Sequence, residues 1–335
     1  MRVFYLLAIV FVVDGHTTNG HLFEMNGLFR YYSFHLMMFA FGSGYFFKLY
    51  GGARSDLAHR AKKLLVPLYL WNVVYGVGAA LLRRFGGFEL GEPISAYTLL
   101  LAPLTDGQHF VWNLGAWFIF PLFSAQVAYA LIRRLSRLWH ENEVMTFLLC
   151  LIPGCVAVQL CYAGRQDILP LLMLRPMILL PGFAGGMLYR RVLERRDHLP
   201  TVPYLIGIVI LRALLCARYE NLAYLLSDCS YFVCDAFGVY AGAALAIAFY
   251  LRISRLLAPY IGKSRLALAI SRNTFDLMMH HYMGFFALNG FFLVVHMLGL
   301  GAADFSVHSF RTDANYLYVS GNHAEWGVLY LLCGV

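Results

Sequence analysis

The sequence predicts an all-α fold, a polytopic transmembrane helix bundle of about ten spans with a cytoplasmic N-terminus. Three observations predict it. Of the 335 residues, 60% are hydrophobic and only 13% are charged, with a mean hydropathy of +0.64, whereas soluble domains carry roughly a quarter charged residues. The apolar residues fall into runs separated by polar breaks, and a helix needs about 20 of them to cross a hydrocarbon core of about 30 Å. Lysine and arginine alternate between loops. Eighteen lie in one set of loops and six in the other, with Arg175 and Arg212 inside runs. Cytoplasmic loops are the basic ones, so the bias orients the chain.

Residues 3–16 are apolar but short; they read either as a signal-peptide core or as a span, and the lack of a small-x-small cleavage site favours a span. Residues 29–49, 64–82, 112–132, 144–162, 169–189, 201–218, 231–251 and 273–300 follow. Residues 324–335 stop early, as a half-span or a truncated end. Loops 17–28, 83–111 and 301–323 then lie outside. In the second of these, "PISAYTLLLAPL" forms either a short interfacial helix or a plain loop. A continuous bundle of this kind is one integral domain, 1–335. The net charge of +8 is scattered over short loops rather than gathered in one patch, which argues topology and not nucleic-acid binding. The seven cysteines lie mostly in apolar runs without metal spacing and read as small buried hydrophobes, so no disulfide framework follows. No Asn-x-Ser/Thr acceptor occurs, which favours a bacterial chain in the inner membrane.

Ionisable groups inside spans are costly in lipid and therefore face a cavity or a partner. The first cluster is the outer mouth of the first two spans. His16 ends the first, and His35 lies roughly 9 Å into the second from the same side. The pair suits one wet pocket in which an imidazole removes a hydroxyl proton and Asp14 fixes its tautomer; the alternative is a loop histidine and a packing histidine. Gly42-Ser43-Gly44 permits close approach of a second helix or of a ligand. Arg60, Lys62 and Lys63 follow on the basic side, either holding the phosphates of an anionic donor or marking topology alone.

The second cluster is Arg272, Asp276, His280 and His281. Helical spacing puts residues 273, 276, 277, 280 and 281 on one face, so Asp276 reaches His280 on the next turn. An imidazole oriented this way guides a ligand's head group or stabilises developing charge; an internal packing bond is the other reading. The histidines place no third ligand, which disfavours zinc. The third cluster is Arg175, just before Pro176, and Arg212. Arg175 binds an anion or pairs with an acidic residue such as Asp235.

The order of motifs carries a resemblance. A first apolar helix ends in Gly-His; "YYSFHLMMFAFGSGYFFK" (31–48) follows, then a basic loop leading into Leu-Val-Pro-x-x-x-Trp, then "HFVWNLGAWFIFPLF" (109–123) and "RNTFDLMMHHYMGFF" (272–286). This succession resembles the acyltransferase-3 family of membrane-bound sugar O-acetylases, and the last stretch is similar to its capsule and fucose branch. The resemblance covers nearly the whole chain. One position departs: family members often carry an arginine in the first helix, where this chain has Tyr5. The resemblance implies transfer of an acyl group, usually acetyl from acetyl-CoA, to a hydroxyl of a cell-envelope glycan or its lipid-linked precursor. A transporter or glycan exporter using the same polar cavity, and a scaffold for a polysaccharide synthase, are the competing readings.

Overall fold

The computed structural model describes residues 1–17, 23–136, 142–300 and 306–313. Its helices, in chain order, are α1 (Arg2–Gly15), α2 (His35–Tyr45), α3 (Ala53–Gly86), α4 (Ile119–Ser136), α5 (Glu143–Tyr162), α6 (Leu171–Leu188), α7 (Thr201–Tyr219), α8 (Ala236–Ile261), α9 (Arg265–Arg272), α10 (Thr274–Met297) and α11 (Val307–Thr312). A two-stranded antiparallel ribbon, β1 (Tyr224–Leu225) and β2 (Tyr231–Phe232), joins α7 to α8, with Tyr224 opposite Phe232.

Among the described residues, seven helices are long and apolar enough to cross a membrane: 53–86, 111–136, 143–162, 171–196, 201–219, 236–261 and 274–297. The chain is a multi-pass membrane protein; seven of the ten expected spans coincide with such a helix, whereas residues 3–16 and 29–49 hold shorter ones. At 1.5 Å per residue, the 14 residues of α1 reach about 21 Å and the 11 of α2 about 17 Å. Both are apolar because protein surrounds them: Phe4, Ile9, Phe11 and Val13, and Met38, Phe39 and Ala40, are all buried. Hydropathy along one segment does not distinguish a lipid environment from a protein one. The expected last span, 324–335, lies outside the described residues. The stretch "PISAYTLLLAPL" contains one wide helical turn, Tyr97–Leu101.

The contacts divide the chain into two compact units that interleave in sequence. The first comprises Met1–Ala8, Phe23–Leu64 and Ile119–Arg272; the second comprises Ile9–Leu22, Leu65–Phe118 and Asn273–Val335. In the first unit, α2 packs on α6 at backbone contact. A Cβ on Gly44 would stand 1.8 Å from the Phe183 carbonyl oxygen, and one on Gly186 would stand 1.9 Å from that of Phe41. Gly42 meets the Tyr5 ring in the same way, at 2.6 Å, and Tyr5 hydrogen-bonds Ser43. The Gly-Ser-Gly stretch is thus a helix-packing surface, and small residues are what allow such close crossings.

Arg212 is the largest fully buried side chain of this unit. Its Nε donates to the Leu28 carbonyl (2.6 Å), Nη1 to that of Gly242 (2.5 Å) and Nη2 to Ser33 Oγ (2.5 Å), while the guanidinium lies over Phe29 at 4.8 Å. Arg175 donates to the Ser227 carbonyl. The expected pairing with Asp235 is not formed: that carboxylate caps α8 by accepting from Gly238 N (3.0 Å) and takes the Tyr219 hydroxyl at 2.9 Å. A helix N-terminus offers unpaired amides to an aspartate at that position, so the local cap wins over a distant cation.

In the second unit, α10 packs on a tight helical segment, Val111–Phe118, that leads into α4. Tyr75, Ala79, Leu90, Phe110, Val111 and Trp112 form its core. Asn72 ties α3 to the loop below it, donating to the carbonyls of Thr98 (3.0 Å) and Leu99 (3.1 Å) and accepting from Asn113 Nδ2 (3.3 Å).

Candidate functional site

The histidines of the second unit gather. The rings of His16 and His281 lie 5.0 Å apart, centroid to centroid, and Tyr282 stands against both, at 5.2 Å and 4.2 Å. His16 leaves the last turn of α1 with Nδ1 2.7 Å from the Val12 carbonyl. His281 places Nδ1 2.9 Å from the Met278 carbonyl and 3.2 Å from that of Leu277. A carbonyl only accepts, so in each ring Nδ1 carries the proton and Nε2 the lone pair. Each imidazole therefore presents a base. His281 Nε2 is buried and has no hydrogen-bond partner among the described residues.

Gly115 makes this possible. A Cβ there would stand 2.5 Å from His281 Cε1 and 2.8 Å from the Met278 carbonyl oxygen, so only glycine lets the 111–118 segment lie against α10 at that point. The same short stretch supplies further buried polar atoms without partners among the described residues: Gln108 Nε2 and Oε1, Trp112 Nε1 and Asn113 Oδ1. Leaving such a group unsatisfied costs about 1–3 kcal/mol, and together they line segment 108–113 with donors and acceptors suited to a polar ligand. His280 turns elsewhere. Its Nδ1 is 2.5 Å from the Tyr75 hydroxyl, and its ring lies edge-on to Trp71 at 4.4 Å.

The sequence-predicted residues are distributed as follows. His16, His280 and His281 share the second unit, and the partner of His16 is His281. Asp14 is buried in the last turn of α1, where its backbone carbonyl accepts from Thr17 Oγ1; the His16 tautomer is set by Val12 instead. His35 belongs to the first unit, with Nδ1 2.5 Å from the Tyr31 carbonyl and its ring edge-on to Tyr32. Asp276 is exposed, and the hydrogen bond of His280 goes to Tyr75. Arg60 is buried and engaged by Asp56 (2.8 Å), Gln126 (2.9 Å) and the Lys48 carbonyl (2.8 Å). Lys62, Lys63 and Arg272 are exposed, while Ser43 bonds Tyr5.

Sequence reasoning missed Gly115, Tyr75 and the polar atoms of 108–113. The available signal was polar residues embedded in an apolar run, as in Trp112-Asn113-x-Gly115. It also missed a recess of about 470 Å³ in the first unit, lined by Lys48, Arg133, Arg190 and Arg191. Glu143 already neutralises part of this charge, accepting from Arg133 at 2.6 and 2.8 Å and forming an ion pair with Arg191 at 3.2 Å. Arg190 donates to the Tyr45 carbonyl at 2.9 Å.

The family model described as an acyltransferase domain, acyltransferase-3, matches residues 6–310. No curated protein and no solved structure matches the chain.

Proposed function

Because the chain belongs to the acyltransferase-3 family, we propose that it transfers an acyl group, acetyl from acetyl-CoA, to a hydroxyl of a cell-envelope glycan or its lipid-linked precursor. The observation that carries this reading is the His16–His281 pair, two adjoining imidazoles held in the tautomer that leaves Nε2 free. The reaction makes one O–C bond and breaks the C–S bond of a thioester. Nε2 accepts the hydroxyl proton as the oxygen attacks, and the departing thiolate recovers a proton. A base of this kind contributes about 10²- to 10⁴-fold. His16 is the base in this scheme and His281 its neighbour at the acceptor hydroxyl. The polar atoms of Gln108, Trp112 and Asn113 suit a polyhydroxylated acceptor.

The phosphates of the donor are met on the basic side of the first unit. Arg60 is occupied by Asp56, so Lys62, Lys63 and Arg272, together with the Lys48–Arg190 recess, are the groups available to an anion. The loop-charge bias supports a cytoplasmic position for that side, and the lack of an Asn-x-Ser/Thr acceptor supports reading the membrane as a bacterial inner one.

Mass spectrometry of surface glycan from cells carrying the wild type, His16→Ala, His281→Ala or His35→Ala tests the scheme. Loss of the acetyl increment in His16→Ala and His281→Ala, with the protein still folded in the membrane, is the expected result. Unchanged acetylation in His16→Ala refutes it. The His35→Ala arm asks separately whether the histidine of the first unit is required.

A further inference from the structure

We propose that the first unit holds an anionic membrane phospholipid, one acyl chain in an interhelical cavity and the phosphate at Arg196. The cavity measures about 430 Å³, within the roughly 300–1,000 Å³ of ligand sites. Its walls come from α2 (Met37, Phe41), α5 (Phe147, Leu151), α6 (Gly182, Gly185) and α8 (Ala243, Ala244, Ala248). The space exists because α6 and α8 turn glycine and alanine toward it; a Cβ on Gly185 would find its nearest neighbour, Phe147, only at 3.7 Å. Ala244 on its wall is exposed, which opens the cavity sideways, the direction from which a lipid enters.

One end differs in chemistry from the rest. Tyr189, Tyr204, Arg196 and Asp197 form it, while the body is apolar. Asp197 is already matched by Arg252 and by Arg255 at 2.7 Å, and it accepts from the Tyr189 hydroxyl at 2.7 Å. Glu194, the neighbouring carboxylate, accepts from Tyr45 at 2.9 Å. The Arg196 guanidinium has no hydrogen-bond or ion-pair partner among the described residues, and the residue is exposed. Arg252 and Arg255 thus satisfy Asp197, Tyr45 bonds Glu194, and the Arg196 guanidinium is left as the lining cation able to meet an anion. Two tyrosine hydroxyls stand beside it, the residue type that sits at headgroup level. An apolar shaft with a cationic, hydroxyl-bearing rim fits an amphiphile with a negative head. Basic pockets between membrane helices bind anionic headgroups on this principle.

The test uses the purified full chain in detergent, incubated with palmitoyl-oleoyl phosphatidylglycerol or the matching phosphatidylcholine, with retained lipid read by native mass spectrometry. One phosphatidylglycerol per chain is expected, retained in preference to phosphatidylcholine. Arg196→Gln should lower retention about fivefold, the equivalent of about 1 kcal/mol for one arginine near an anionic headgroup. Gly185→Leu and Ala244→Trp, which fill the shaft, should abolish it, and Arg265→Gln on exposed α9 should leave it unchanged. Because Arg196 is exposed, its substitution reports binding even where a filling variant fails to fold. Equal retention of phosphatidylcholine, undiminished binding by both filling variants, or retention of palmitoyl-CoA in place of phosphatidylglycerol would each overturn the proposal.

Discussion

Gly115 stands against His281 so closely that a single added carbon would lie 2.5 Å from the imidazole. The obstacle is not one flexible atom, because the Met278 carbonyl oxygen lies at 2.8 Å on the same side. Gly115→Ala must therefore push α10 and the 111–118 segment apart, at a cost of about 1–3 kcal/mol. Since a displacement of about 1 Å at a reacting centre lowers rates by about 10²-fold, acyl transfer should fall far more than stability. Glycan acetylation and thermal unfolding in detergent, measured side by side, check this. Full activity in Gly115→Ala would mean that His281 takes no part in the reaction.

The contact between α2 and α6 is purely structural and should behave differently. Gly44→Ala and Gly186→Ala each drive a methyl into a backbone carbonyl of the facing helix, at 1.8 and 1.9 Å. Overpacking costs about 1–3 kcal/mol, occasionally more, and here neither backbone can yield locally. Both variants should accumulate poorly or unfold at markedly lower temperature. Gly207→Ala on α7, where a Cβ meets nothing within 4 Å, is the control. It should gain up to about 1 kcal/mol from helix propensity.

Arg212 should prove intolerant of substitution for a third reason. Its three acceptors, Leu28 O, Gly242 O and Ser33 Oγ, come from two separate stretches of the chain, so one guanidinium joins the segment before α2 to α8. Arg212→Met strands these groups at about 1–3 kcal/mol each. Arg212→Lys keeps the charge but lacks the planar fork and should recover only part of the loss. Unfolding temperatures of the three proteins give the order Arg, Lys, Met; a methionine variant as stable as the wild type would refute the account.

Asp197 supplies the pH dependence. Burial alone would raise its carboxyl pKa, but the Tyr189 hydrogen bond and the guanidiniums of Arg255 and Arg252 outweigh burial and hold it below the usual carboxylate range. A carboxyl lowered on folding contributes stability that is fully present above its unfolded pKa of about 3.9 and is lost as pH falls through the folded value. Asp197→Asn should therefore be less stable at neutral pH and should lose less than the wild type on acidification between about pH 5 and pH 3. Parallel unfolding curves for the two proteins across that range would show that the carboxylate contributes nothing.

Much was legible from composition and order alone. Apolar runs specify helices, and a run of about 20 residues specifies a crossing whatever its neighbours are, so the positions of the seven long helices could be read along the chain. So could the family, because the motif order is itself a property of sequence. His16 and His281 were each visible as costly groups inside or beside apolar segments.

Only tertiary structure decided which of these groups meet. Periodicity places a residue on a face of its own helix but says nothing of which helix faces it, so the neighbour of His16 in its own unit is His281, whereas His35 belongs to the other unit. For the same reason Asp235 was free to cap α8 rather than pair with Arg175, and Gly42-Ser43-Gly44 was free to seat a helix rather than a ligand. The lengths of α1 and α2 were likewise hidden. Burial in protein and burial in lipid select the same apolar side chains, and hydropathy registers only that water is excluded.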